Sequence, residues 1–231
     1  MIVRLGYACV SKALNDTASH TVSYTNYLKE ENKEEKLHSV ISKNLEALEN
    51  ILEYNIKNNI HFFRITSSLI PLATKKDVDI DYVTCFKDKY LRIGDKIKKS
   101  KMRVDFHPDE FCVINTTKKD VFESSLAILN YHYTLLEAFD LQEKVLVVHV
   151  GSSTFGKENS IARYKNNFNL LPEYIRECIV IENDDKVFNA KDTLELCESI
   201  KRPMVLDYHH HICNGASDGI CIDKYCQLPI T

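Results

Sequence analysis

Four apolar, strand-like runs end in turn on a side chain that can hold a divalent cation. MRVDFHP reaches His107, KVLVVHVG reaches His149, CIVIEND reaches Glu182 and RPMVLDYHHH reaches Asp207. Amphipathic stretches separate the runs, so β and α segments alternate along the chain. Alternation of that kind specifies parallel strands joined by right-handed crossovers. In a barrel of parallel strands, all the C-terminal strand ends open on one face, where the active site lies. Two imidazoles, two carboxylates and the extra histidines His209, His210 and His211 form a donor set for divalent metal ions. A single such residue is more often a hydrogen-bonded histidine or a helix cap. Four at successive strand ends point instead to a metal centre.

The expected architecture is α/β: a TIM-type (β/α) barrel truncated after about six βα units, forming one domain over residues 1–231 that is incomplete at its C-terminus, with an open fold as the alternative. Strands are predicted at 2–7, 61–66, 102–107, 144–150, 178–182 and 203–207. Helices are predicted at 33–58, 81–100, 118–139, about 160–177 with a break at Pro172, and about 190–201. Over 33–58 the apolar residues Leu37, Val40, Ile41, Leu45, Leu48, Ile51 and Leu52 recur at spacings of three and four. A polar loop carrying Tyr24 and Tyr27 runs to about residue 32. Asn183 and Asp184 are candidate helix N-caps. DYHHH is read as the tail of a strand, whose successive residues alternate between faces, so not all of His209, His210 and His211 can reach the site.

Bulk charge announces no polyanion partner, since the formal net charge is -3 and the pI near 6.3. Contact with nucleic acid would need a local basic patch or bound cations. KIKKSKMR, 96–103, is basic, but it leads into a strand and so belongs to the opposite face, where it complements a helix terminus. No segment approaches the ~18 apolar residues of a membrane span, and Met1 leads straight into IVRLGY without a signal-like region. Eight cysteines without a CxxC pair fit reduced, mostly buried thiols in a cytoplasmic protein. Cys213, Cys221 and Cys226 with His209 or His211 are a zinc alternative of unfamiliar spacing. No obligate protein partner is implied.

Loops near the strand ends add material. Tyr7 follows Gly6 at the end of the first strand, and Ser67 and Ser68 follow the second beside Arg64. HPDEF projects Glu110 and Phe111 next to His107, where an aromatic could wedge into a base stack or simply pack.

RLGY, NLEALENILEYN, FFRITSSLIPLAT, the HP of HPDEF, VVHVG, IENDD and DYHH, in that order, resemble the ultraviolet damage endonuclease family. These are barrel DNA-repair nucleases related to endonuclease IV, and the likeness runs from residue 3 to about 211. It implies nicking of damaged double-stranded DNA on the 5′ side of cyclobutane dimers, (6-4) photoproducts and often abasic sites. It implies divalent metal ions, typically Mn²⁺ with Zn²⁺ or Mg²⁺ as alternatives, on His107, His149, Glu182, Asp207 and His210. Glu182, central in the series, is expected to bridge ions and with His149 to carry catalysis. The family's strand-one Tyr, near the bound lesion, falls on Tyr7; Ser67 and Ser68, from their place after the second strand, are candidate DNA contacts beside it. The family's lesion-probing Gln–Tyr pair falls on Glu110 and Phe111, which keeps the wedge, loses the hydroxyl and adds a negative charge. The family continues with a Lys-x-His strand, a further His and a C-terminal Glu, so the chain is expected to be an incomplete, poorly active barrel. The alternatives are a metal-dependent sugar isomerase or epimerase on the same barrel, and a non-catalytic remnant that binds damaged DNA.

Overall fold

The structure is a computed structural model that describes residues 3–215. β1 (Gly6–Ala8), β2 (Phe62–Ile65), β3 (Arg103–Phe106), β4 (Leu146–His149), β5 (Ile179–Glu182) and β6 (Met204–Val205) follow one another in that order in a sheet. The ladders β1–β2, β2–β3, β3–β4 and β5–β6 are parallel. Between the strands run α1 (Tyr24–Lys29), α2 (Lys33–Lys57), α3 (Lys87–Ser100), α4 (Lys119–Ala138), α5 (Lys157–Leu170), α6 (Glu173–Cys178) and α7 (Ala190–Ile200), with α8 (Tyr208–Cys213) after β6. The described residues fall into two compact units, 3–109 with 127–146, and 110–126 with 147–215.

In the first unit, α2 places Leu37, Ile41, Leu45, Leu48, Ile51 and Leu52 out of solvent, as their helical spacing requires. Each fully buried aliphatic side chain contributes about 1.5–3 kcal/mol. α3 packs so closely that a Cβ on Gly94 would lie 1.7 Å from the Phe139 carbonyl oxygen. Arg64 and Asp105 are register partners on β2 and β3, joined by a two-point salt bridge of 2.9 and 3.1 Å.

Three boundaries in this unit differ from expectation. β1 begins at Gly6, the first residue in register with β2, while Val3 and Leu5 stay exposed. α3 begins at Lys87 rather than 81, because Asp81 Oδ1 accepts the Thr84 amide at 2.9 Å and holds a turn there. The polar loop before α2 contains α1, capped by Ser23, whose hydroxyl accepts the Asn26 amide at 3.2 Å.

In the second unit, the expected break falls at Pro172, which separates α5 from α6. α7 starts at a capping box between Asn189 and Asp192, so neither Asn183 nor Asp184 is its cap. Asp184 instead accepts amides from Lys186, Val187 and Phe188. Buried Asn115 clamps the loop after β4: its Oδ1 accepts the Ser152 amide at 2.8 Å and its Nδ2 donates to the Ser152 carbonyl at 2.7 Å. Gly151 makes that approach possible, with φ +101° and space only for a hydrogen beside Asn115 Oδ1. The strand tail expected at DYHHH is a helix. Asp207 caps it by accepting the His210 amide at 2.9 Å, so the three histidines step around α8 instead of alternating.

Candidate metal centre

Within the second unit, β4 ends on His149, β5 ends on Glu182, Asp207 follows β6, and α8 supplies His210. One potential ligand atom from each of Glu182, Asp207 and His210 lies within 4.8 Å of the others. His149 Nε2 lies 3.6 Å from Glu182 Oε2, and its ring centroid is 5.6 Å from that of His210. Glu182 is only 4% exposed. The expected residues of this unit are thus gathered as the strand-end argument requires.

The imidazoles are oriented by the main chain. His210 Nδ1 meets the Asn183 carbonyl at 2.9 Å, and His149 Nδ1 meets the Glu182 carbonyl at 3.4 Å. A ring that donates through Nδ1 keeps its lone pair on Nε2, the arrangement found behind metal-bound histidines. Asn183, fully buried, ties the two strand ends together by accepting the Asp207 amide at 2.8 Å and donating to the Asp207 carbonyl at 3.0 Å. Carboxylate oxygens with imidazole nitrogens and no thiolate suit Mn²⁺, Zn²⁺ or Mg²⁺ rather than a soft ion. A cation also offsets the cost of burying Glu182 near a second carboxylate. The residues present therefore fit a divalent metal.

In the first unit, His107 follows β3, half-buried, with Nδ1 2.8 Å from the Pro108 carbonyl. It shows the same main-chain orientation as the other two imidazoles. Tyr7 is half-buried: its hydroxyl donates to Asn55 Oδ1 at 2.8 Å, its ring meets Phe63, and burial raises its pKa. Ser67 and Ser68 line a cavity of about 150 Å³ with Thr21, Asp109, Tyr131 and His132. Glu110 and Phe111, in the second unit, are exposed, Phe111 to 71%. The basic stretch at 96–103 is largely committed to carboxylates, with Lys96 on Glu49 and Glu53 and Lys98 on Asp140. Cys213 Sγ sits 3.9 Å from His209 Nε2, while Cys221 and Cys226 lie outside the described residues. No disulfide joins the described cysteines. No helix among the described residues is long and apolar enough to cross a membrane.

Sequence reasoning missed two supporting residues. Asn183 sits beside Glu182 in IEND, and its polarity inside an apolar strand end was the available signal; its partners lie 24 residues on. Asn115 carries no local pattern at all, because its partner Ser152 is 37 residues away.

Residues 3–222 match the family described as UV-endonuclease UvdE. The UV DNA damage endonuclease of Bacillus mycoides (strain KBAB4) is 37% identical over 224 residues, covering 95% of this chain and 71% of that protein. The UV DNA damage endonuclease of Bacillus cereus (strain 03BB102) is 36% identical over 218 residues, covering 93% and 69%. A crystal structure of SacUVDE superposes with a TM-score of 0.87 at 38% identity, covering 94% of this chain and 73% of that one. Endonuclease IV from Thermus thermophilus superposes at 0.53 with 12% identity, over 90% and 64% of the two chains. D-psicose 3-epimerase from Clostridium cellulolyticum also superposes at 0.53, with 10% identity, over 73% and 60%. The last two share a fold alone, the TIM-type barrel class with parallel strands that this α/β chain also has. On the strength of the match over residues 3–222 and of relatives 36–37% identical, the chain belongs to the UV-endonuclease UvdE family.

Proposed function

We propose that the chain is a metal-dependent DNA-repair endonuclease that nicks damaged double-stranded DNA on the 5′ side of ultraviolet photoproducts, and of abasic sites as well. The observation that carries this is the convergence of Glu182, Asp207 and His210 beside His149 in a chain of this family. The proposed ligand set is His107, His149, Glu182, Asp207 and His210, with Mn²⁺ the favoured ion and Zn²⁺ or Mg²⁺ alternatives. When bound, divalent ions polarise a phosphoryl oxygen and lower the pKa of water at the site. The chain's own part is to hold the donors in place. Asn183 fixes the spacing of the two strand ends, and main-chain carbonyls hold Nδ1 of His149 and His210, with His149 Nε2 facing the Glu182 carboxylate. Phe111, exposed, with Glu110 beside it, is proposed to probe the lesion, and Tyr7, Ser67 and Ser68 to line the DNA side. Cysteines that form no disulfide among the described residues suit a cytoplasmic protein.

Nicking of irradiated supercoiled plasmid, with Mn²⁺ and with EDTA, tests the proposal. Nicking that needs both irradiation and Mn²⁺, and that Glu182→Gln abolishes, supports it. Nicking by the variant at the wild-type rate, or of unirradiated plasmid to the same extent, overturns it.

A further inference from the structure

The loop between β4 and α5 holds Phe155 at φ +66° with 75% of its surface exposed. A bulky side chain in the left-handed region is strained, and such residues persist only where their surroundings over-determine them. Here they do. Asn159 Nδ2 donates to the Phe155 carbonyl at 2.8 Å. The Arg163 guanidinium donates to the Thr154 carbonyl at 2.7 Å and to the Asn115 carbonyl at 2.9 Å. Ser160 Oγ donates to the Thr154 carbonyl at 3.1 Å, and the Gly156 amide to the Ser153 carbonyl at 2.9 Å. Asn115 clamps Ser152 at the other end of the loop. All this bracing fixes a strained backbone whose ring lies in solvent, where it adds little to the stability of the fold. A glycine at 155 would serve the turn better, as Gly151 and Gly156 do at their positive φ angles. The loop leaves directly from His149, so the ring is displayed from the strand end that carries a proposed ligand.

We propose that Phe155 is a second aromatic contact to DNA, stacking on a base laid open beside the lesion. The inference rests on the nuclease reading above and adds to it a specificity-determining residue outside the Glu110–Phe111 pair. An aromatic face stacks only on a base whose own stack is already broken, and a lesion lowers the cost of that opening. Phosphate contacts, by comparison, act on any duplex. The contribution of Phe155 is therefore confined to damaged DNA, where loss of one base–aromatic stack weakens binding by about tenfold or more.

Fluorescence anisotropy on a duplex with one cyclobutane thymine dimer, and on the same duplex undamaged, tests this with Ca²⁺ as the only divalent ion. Phe155→Gly should weaken binding to the dimer duplex by about tenfold or more, leave undamaged duplex unaffected and raise the melting temperature by relieving strain. Phe155→Trp should restore dimer affinity. Unchanged dimer affinity in Phe155→Gly, equal losses on both duplexes, or a lowered melting temperature each overturns the role of Phe155 and leaves the nuclease reading standing. A wild-type chain that does not favour the dimer duplex overturns the nuclease reading itself, and this role with it.

Discussion

Asn183 and Asp207 grip each other through hydrogen bonds that run in opposite directions: the Asp207 amide donates to Asn183 Oδ1 at 2.8 Å, and Asn183 Nδ2 donates to the Asp207 carbonyl at 3.0 Å. The Asn183 carbonyl also accepts from His210 Nδ1 at 2.9 Å. One buried residue next to Glu182 thus positions a carboxylate and an imidazole together. Asn183→Asp removes the donor and puts another negative charge against the Asp207 carbonyl. Mn²⁺ affinity by isothermal titration should fall about 10–100-fold, the range typical of groups behind a metal ligand. Unchanged affinity would remove Asn183 from the support of the site.

Metal should also appear as stability. A ligand that binds only the folded chain stabilises it by about 2.7 kcal/mol at a hundred times its Kd. Differential scanning fluorimetry should show Mn²⁺ raising the melting temperature over EDTA. Glu182→Gln should melt close to the wild type in EDTA, since a neutral amide replaces a buried carboxylate, yet lose the rise with Mn²⁺. A full rise in the variant would show that Glu182 is not a ligand.

The Arg64–Asp105 bridge links register partners, and Asp105 is only 4% exposed. Arg64→Met strips that buried carboxylate of its two-point partner and should cost about 3 kcal/mol in urea denaturation. The double variant Arg64→Met, Asp105→Leu should recover most of the loss, because a buried ion pair is often no better than apolar residues of similar volume. A double-variant loss equal to the sum of the losses in Arg64→Met and Asp105→Leu would mean the two side chains act independently.

His132 gives the fold an acid limb. Burial, with a smaller contribution from nearby His107, lowers its pKa from 6.5 to about 4, against the opposing hydrogen bond to the Ile128 carbonyl. The folded chain keeps the ring neutral and the unfolded chain does not. Stability is therefore whole above pH 6.5 and declines as pH falls towards about 4, because the unfolded state takes up the proton first. The share of His132 is about 3 kcal/mol across that window. His132→Phe keeps the ring contacts with Phe106 and Tyr131 and should flatten this limb of the pH–stability curve. A limb of unchanged steepness would assign the acid sensitivity elsewhere.

The long periodic elements were legible in the sequence, since α2 and the strand ends at His107, His149 and Glu182 follow from apolar spacing alone. The gathering of Glu182 and Asp207 followed from the rule that parallel strand ends share a face, while His210, on α8, was singled out only by the family resemblance. Short elements escaped, because a helix of 6 residues such as α1 or α8 is decided by one capping side chain, Ser23 or Asp207, and not by a period. The roles of Asn183 and Asn115 escaped because their partners are remote in sequence. Phe155 escaped because nothing in its residue type announces a positive φ.

The oxygens that receive Nδ1 of His107, His149 and His210 belong to the main chain of Pro108, Glu182 and Asn183. No point mutation deletes a carbonyl. The choice of ring nitrogen at each histidine is thus insulated from mutational drift, while the spacing of the rings, which depends on side chains such as Asn183, is not. Random mutagenesis should therefore damage this centre chiefly by displacing its histidines and rarely by switching their tautomers.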